Sequence, residues 1–464
     1  MQNDLVIDAF LENGDHRILV TAKYASRYSL WVKFRQDCEF VCDDSLNLII
    51  QNNGECLEIG PCRLISESAQ DGHHYRLIFL QDIYDAHSLL SKNKTVKLQS
   101  DLDDLPILLA RKENITQSFK DFTADLTYDL SVYKNLFDRL DSQYQEEPEA
   151  IQKGIQRALI KTEGSKFKRF LDEKLAQLEL LVKDFNIEEH QHHGFYFRKQ
   201  LWNFLLCPPI MARSNLKPRG YSGDSKIMRM IYLNDYQGDS TFSKLLHKHV
   251  VEHAAAQSVR SRIPLIVQLI GDLQKKAHED SLDKLKIMSV GSGPAFELRD
   301  ILKYPHDCSK YQFSLLDQDQ KALSEAASLI QKIENKFQAK IDVDFLKDSV
   351  RTMLFSRSLK HQWGQFHFIY SMGLFDYLSD KVAKAVMMKL YQMLTPRGEM
   401  VIGNFHTSNP SRYYMEYWCD WVLNLRTEEE FKALSADIPS ANRSIVYDAT
   451  KSQMFLHLKN RLGE

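Results

Sequence analysis

Ile287-Met-Ser-Val-Gly291-Ser-Gly293-Pro-Ala295-Phe-Glu297 leaves a buried strand, turns through two glycines and enters a helix. Glycine lets the backbone approach a ligand that no side chain would tolerate, and a helix start presents free N–H groups. A lone Gly-x-Gly says little by itself. Here the next strand ends in Leu315-Leu-Asp317, 24 residues beyond Gly293. An acid at that place holds a pair of ribose hydroxyls. Together the two features predict a nucleoside-binding α/β fold.

Outward from the turn, strands are expected at Lys286–Val290, Phe313–Leu316, Ile341–Phe345, Phe366–Tyr370 and Glu399–Asn404. Helices are expected between them at Ala295–Leu302, Gln320–Phe337 and Lys381–Leu394. Ser444–Tyr447 and Gln453–Leu458 read as two strands joined by a tight turn. This alternation implies a Rossmann-like parallel sheet with helices on both faces and an antiparallel pair at one edge. Asp319 is better placed than Asp317 to cap the helix from Gln320, which leaves Asp317 for the ribose.

A dinucleotide site wants a third glycine, Gly-x-Gly-x-x-Gly, where this chain has Phe296. The pattern instead resembles motif I of class I S-adenosylmethionine-dependent methyltransferases, whose ligand has no phosphate to cradle. That resemblance implies that Gly291, Ser292 and Gly293 line the cofactor, and that Asp317 with Gln318 holds its ribose. It places Asp348 with Ser349 at the adenine, and turns the end of strand 4, Ser371-Met-Gly-Leu-Phe375, toward the methyl group.

Lys217-Pro-Arg-Gly-Tyr-Ser-Gly-Asp224, then Ile231-Tyr232, Gly238-Asp239 and Ala254 to Arg262, resemble the helical cap of a narrower bacterial family. That family includes the methyl ester synthases that make 3-hydroxy fatty acid methyl esters, such as the 3-hydroxypalmitate ester, as cell-density (quorum-sensing) signals. Gly403-Asn-Phe-His-Thr-Ser-Asn-Pro410, Met415-Glu416 and Trp421 are similar to the same family after strand 5. Polar groups crowded between Pro218, Gly220 and Gly223 suit a lid over the cofactor. Arg219 and Tyr221 are then expected at the cofactor, and Lys217, Asp224 and Asn404 at the substrate. His406, Tyr414 and Glu416 follow the strand-5 end, where substrates of this fold lie, and are the candidates for base or clamp. An ionised carboxylate acceptor needs no base; a hydroxyl or amine does. The alternatives are another small-molecule O- or N-acceptor, or a scaffold that binds the cofactor without catalysis.

Four blocks are expected: a β module over 1–95, a long-helix hairpin over 96–195, a helical cap over 196–280 and the methyltransferase sheet over 281–464. In the first block, Arg27–Phe34, Ser45–Ile50, Cys56–Ile59, Cys62–Ile65 and His74–Phe79 are short β-branched or aromatic runs. Turn clusters at Gln51-Asn-Asn-Gly54, Gly60-Pro61 and Gln70-Asp-Gly72 separate them, which suggests a small barrel or sandwich. The head resembles a PilZ module, on Arg27-Tyr-Ser-Leu-Trp-Val-Lys-Phe34. It lacks the Arg-x-x-x-Arg and Asp-x-Ser-x-x-Gly pattern of cyclic di-GMP receptors. Residues 1–92 hold 14 acidic and 8 basic side chains, a balance unsuited to a doubly anionic dinucleotide.

In the second block apolar residues from Phe119 to Leu140, and from Ile155 to Leu181, recur at helical spacing around a break at Glu146-Glu147-Pro148. Two such helices make a hairpin, a docking surface or half of a homodimer. Cys38, Cys42, Cys56 and Cys62 are spaced x3 and x5 at the pairs, without a Cys-x2-Cys, and read as free thiols rather than a zinc site. His190, His192 and His193 read as a polar helix face rather than a metal site.

The whole chain of 464 residues carries 60 basic and 62 acidic side chains, so no global charge draws it to nucleic acid or anionic lipid. The greasiest stretch, Ile263 to Ile270, is interrupted by Pro264 and Gln268, and the start is polar and acidic. A soluble, cytoplasmic protein acting on a small or lipid-like molecule is the expectation.

Overall fold

The computed structural model describes residues 7–13, 16–25, 29–34, 45–52, 55–66, 74–79, 109, 111–279, 282–356, 358–438 and 443–460. The chain forms two compact units. One comprises Met1–Asp121, Leu181–Lys199 and Tyr377–Ala383, the other Phe122–Leu180, Gln200–Asp376 and Lys384–Glu464.

In the first unit six antiparallel strands, β1 (Ile7–Asn13), β2 (His16–Ala25), β3 (Ser29–Phe34), β4 (Ser45–Asn52), β5 (Glu55–Ser66) and β6 (His74–Phe79), close into a barrel. Their order is β1-β2-β3-β6-β5-β4, and β4 pairs back onto β1. Alternate residues such as Ala9 and Leu11, Leu30 and Val32, and Leu46 and Leu48 are buried, the period-two pattern of a filled small barrel. Sequence reading missed β1 and β2, although Asn13-Gly14 between two alternating runs is a hairpin signal.

Gly60-Pro61 is not a turn. β5 runs through it as one strand, with Gly60 opposite Leu48 and Pro61 opposite Asn47. The register shifts between Leu48 and Ile49, so a bulge absorbs the residues that looked like a break. Cys62 is buried, its thiol donates to the Leu46 carbonyl at 3.4 Å, and burial pushes its pKa up to about 12. Cys38, Cys42 and the turns expected at Asn53-Gly54 and Gln70-Asp-Gly72 lie outside the described residues, as does the side chain of Cys56. His193, on the helix Ile187–Gln200, packs between Phe119 and Phe185. Its Nδ1–H donates to Glu189 O at 2.8 Å, and its Nε2 accepts the Thr116 amide at 3.2 Å.

The helices Gln117–Gln143 and Glu149–Val182, which belong to the second unit over Phe122–Leu180, form an antiparallel hairpin on either side of Pro148. Lys174 pairs with Asp129 at 2.7 Å, and Tyr133 meets Phe170 and Phe137 meets Phe167 further along. The helices Pro209–Leu216, Ser225–Leu233, Thr241–Glu252 and Ala254–Glu279 follow a single helical turn at Trp202–Leu205. Asp224 and Ser240 cap the second and third by accepting backbone amides of the first turn.

The sheet contains β7 (Leu285–Val290), β8 (Tyr311–Asp317), β9 (Asp342–Lys347), β10 (Phe366–Ser371), β11 (Leu394–Phe405), β12 (Arg443–Tyr447) and β13 (Gln453–Lys459). Their order is β12-β13-β11-β10-β7-β8-β9, and β13 is antiparallel to both its neighbours while the other pairings are parallel. Ile287, Phe313, Leu315 and Phe368 share a core with Ile266 and Ile270 of the last cap helix and Leu323 and Ile330 of the helix Gln320–Phe337. Each such buried aliphatic side chain contributes about 2 kcal/mol.

Two helix expectations need correction. The one placed at Ala295–Leu302 is a single turn, Leu298–Ile301, because Ala295 sits at φ +50° and cannot join a right-handed helix. The other, Lys381–Leu394, spans Asp380–Tyr391, and Leu394 already belongs to β11. Among the described residues no helix is long and apolar enough to cross a membrane.

Candidate functional site

Strand order reverses direction between β7 and β10, and ligands of open α/β sheets bind beyond the strand ends at such a point. Gly291 follows β7, Asp317 ends β8 and Ser371 ends β10. Gly291 and Gly293 have φ of +67° and +53°, the left-handed region that glycine occupies without strain. Gly291 and Ser292 both donate their amides to the Leu316 carbonyl, at 2.9 and 3.0 Å, which sews the turn to the end of β8. A side chain built on Gly293 would meet no atom within 4 Å, so its Cα faces open space.

Asp317 is 8% exposed. Its Oδ2 accepts the Gly293 amide at 2.8 Å and its Oδ1 the Asp319 amide at 2.9 Å. Burial raises its pKa above the usual carboxylate range, with the two amides pulling the other way. Each oxygen keeps a second lone pair for a ligand hydroxyl. Asp319 caps the helix Gln320–Phe337 through the Lys321 amide, as its position predicts. The Asp348 amide donates to the Asp317 carbonyl at 3.3 Å, so the ends of β8 and β9 meet. Ser349 donates its amide to the Asp348 carboxylate, and Gln318 is exposed beside them.

Ser292 is 8% exposed, and its hydroxyl has no hydrogen-bond partner among the described residues. An orphaned polar atom, open space over Gly293 and a buried acid with spare lone pairs are what a nucleoside would complete. Ser371 does something different. Its buried hydroxyl donates to the Val290 carbonyl at 2.8 Å and pins β10 to β7.

The cap octapeptide is held by ion pairs. Arg219, with a side chain 7% exposed, donates to Asp319 at 2.7 Å and to Glu325 at 2.8 Å, and also to Ser225. It thus ties the cap to the helix that follows β8. Asp224 is fully buried, caps its helix and pairs with Arg213 at 2.5 Å. Lys217 pairs with Asp420 at 2.9 Å, and the Ser222 hydroxyl donates to the Asp420 carbonyl. Tyr221 is half-buried in the same loop.

Beyond β11, Asn404 is fully buried; its amide donates to Phe405 O and Asn424 O, and its carbonyl accepts from Arg426. His406 turns back on its own loop, where Nδ1 accepts the Ser408 amide at 3.1 Å. Glu416 pairs with Arg412 at 2.9 Å. Tyr414 opens a single π-turn, Tyr414–Trp418, and is buried. Its hydroxyl lies 2.8 Å from His249 Nδ1, while His249 Nε2 lies 3.0 Å from Asp172 Oδ1. Burial lowers the His249 pKa, so the neutral ring donates Nε2–H to Asp172 and accepts from Tyr414.

Sequence reading overlooked several polar groups at the strand ends. Glu297 accepts the Tyr370 hydroxyl at 2.7 Å, both side chains being buried. Asp376, one residue past the quoted strand-4 segment, accepts the Phe405 amide at 2.6 Å. Arg262 donates from Nε to Gln453 at 2.8 Å. A charge at Arg262, four residues from Ser258 and from Ile266 on the buried stripe of its helix, is the signal that marks it.

No family model matches the chain, and no curated protein matches it. Solved structures do. A possible exported protein from Bordetella parapertussis is 16% identical with a TM-score of 0.39, over 64% of this chain and 96% of that one. The magnesium protoporphyrin IX methyltransferase of Synechocystis PCC 6803, with bound SAM, is 10% identical with a TM-score of 0.31, over 44% and 83%. N-methyltransferase NodS from Bradyrhizobium japonicum WM9, in complex with S-adenosyl-L-homocysteine, is 12% identical with a TM-score of 0.28, over 42% and 86%. Strand order identifies the fold independently of these likenesses. A dinucleotide fold continues past its fifth strand with a parallel sixth, whereas here the reversed β13 is inserted between β11 and β12. That antiparallel edge is the one expected from the resemblance to class I methyltransferases.

Proposed function

We propose that the protein is a cytoplasmic S-adenosylmethionine-dependent methyltransferase whose acceptor is a small or lipid-like acid, a hydroxy fatty acid carboxylate above all. The observation that carries the reading is the bond from the Gly293 amide to Asp317 at the switch point, with the Ser292 hydroxyl left for a ligand. Gly291 to Gly293 would line the cofactor, Asp317 would accept its ribose hydroxyls, and Asp348 stands where the resemblance puts the adenine. Bound there, S-adenosylmethionine supplies a sulfonium methyl group to a nucleophile.

A carboxylate acceptor is already ionised at neutral pH, so the chain's task is placement and exclusion of water. The side chains beyond β11 fit that economy. Tyr414 is committed to His249, Glu416 to Arg412 and Asn404 to Arg426, while His406 turns its Nδ1 to the Ser408 amide. We read the barrel as a PilZ-like module, on the resemblance at Arg27–Phe34.

Transfer of labelled methyl from S-adenosylmethionine to a panel of straight-chain 3-hydroxy acids tests the reading, with the esters recovered by extraction. Extracts of cells with and without the protein, compared for a mass gain of one methylene, identify the natural acceptor. A protein that binds the cofactor yet methylates no acid, and changes nothing in the extracts, would be a scaffold instead.

A further inference from the structure

Arg262 lies on the helix Ala254–Glu279 with its guanidinium at the C-terminal edge of the sheet, and it is 7% exposed. Its Nε is satisfied by Gln453, which begins β13 and itself donates to the Met372 carbonyl just past β10. The ring of Phe405, the last residue of β11, sits 5.6 Å from the guanidinium carbon. Gly373 lies close alongside, since a Cβ built there would stand 3.1 Å from Nη1.

Asp376 is the nearest acid, but its Oδ2 is 3.9 Å from Nη2 and its Oδ1 is held by the Phe405 amide. Among the described residues Nη1 and Nη2 therefore donate to no acceptor within hydrogen-bonding distance. A planar pair of nitrogens without a hydrogen bond to a described side chain matches a carboxylate in two parallel bonds.

We propose that Arg262 is a carboxylate-binding subsite at the end of β10, walled by Gly373, Gln453 and Phe405. This deepens the methyl-transfer reading and rests on it. Two molecules of that reading carry a carboxylate, the acid acceptor and the methionine end of the cofactor. The walls come from β10, β11 and β13 and not from the Gly291 turn, which favours the acceptor.

The test uses the full chain and calorimetry with two matched pairs. 3-Hydroxypalmitate and its methyl ester differ by the acceptor's charge, and S-adenosylmethionine and its decarboxylated form by the cofactor's. Arg262→Gln is expected to erase a preference of about tenfold or more for the acid over the ester, leaving both cofactor affinities unchanged. If it instead erases the preference for S-adenosylmethionine over the decarboxylated form, the subsite holds the cofactor's methionine end.

Gly373→Ala crowds Nη1 without removing the charge, at a position without positive φ, and should weaken the same preference. It decides the matter should Arg262→Gln fail to fold by thermal unfolding. Wild-type preferences retained in the folded variants would overturn the subsite, as would a wild type indifferent to the charge in both pairs. A wild type that binds neither form of the cofactor would instead sink the methyl-transfer reading.

Discussion

The Tyr370 hydroxyl meets Glu297 Oε1 at 2.7 Å, joining β10 to the loop that leaves the glycine turn. Burial raises the Glu297 pKa, and the tyrosine bond is the largest influence opposing it. A raised folded-state pKa means that this group's contribution is fully present below its unfolded pKa and lost as pH rises through the folded one. Tyr370→Phe removes the bond that stabilises the ionised form. It should destabilise by about 1–3 kcal/mol, and more at pH 8 than at pH 5. Urea unfolding at the two pH values checks this, and an equal loss at both would mean the bond does not serve the charge.

Asp317 has a double task, which separates two substitutions. Asp317→Asn keeps one oxygen for a backbone amide but loses the charge offered to the ribose. Cofactor affinity should fall by about 1–3 kcal/mol, and the melting temperature should fall as well, because the new NH2 faces the other of the two amides. Asp317→Ala should lose more of both, because the Gly293 and Asp319 amides are left without their acceptor. Unchanged affinity in the asparagine variant would move the ribose elsewhere.

Arg219 reads from the sequence as a lid residue, and a lid side chain removed leaves stability intact. The structure sets it instead among Asp224, Asp319 and Glu325. Arg219→Ala strands acids around a vacated buried site, and a loss of about 3 kcal/mol in unfolding free energy is expected. A variant as stable as wild type but slow in turnover would restore the lid role.

How far the sequence reaches is clear from these sites. Glycine at positive φ, an acid at a strand end and alternation of period have local causes, so Gly291, Gly293, Asp317 and the seven sheet strands are legible. Partners far apart in the chain are not. Arg219 meets Glu325 106 residues away, and His249 meets Asp172 77 residues away, so composition alone cannot tell a lid from an ion cluster. The bulge in β5 hid a strand for the reverse reason, because Gly60-Pro61 carries a strong local signal that pairing with β4 overrides.

The sequence places Tyr414 near the chemistry, but its hydroxyl satisfies a buried imidazole. Tyr414→Phe leaves His249 Nδ1 without a donor and should cost about 1–2 kcal/mol. If methyl transfer at saturating substrates survives in the folded variant, the residue is a support. A collapse of turnover with unaltered unfolding would return it to the reaction.

Asp376 gives the sharpest dependence on pH. It is 2% exposed, and burial raises its pKa to about 6, against the pull of Arg262, the Phe405 amide and Arg426. The folded chain therefore binds the Asp376 proton more tightly than the unfolded chain does. Stability from this group is fully present below the unfolded carboxylate pKa and is lost as pH rises through about 6. Between pH 7 and pH 5 the wild type should gain about 1 kcal/mol through it. Asp376→Asn keeps an oxygen for the Phe405 amide but cannot titrate, so that increment should vanish. Urea unfolding of both proteins at the two pH values measures the difference of differences, in which every other titrating group cancels. An identical pH response in the two proteins would mean that Arg262, at 3.9 Å, already holds Asp376 ionised throughout.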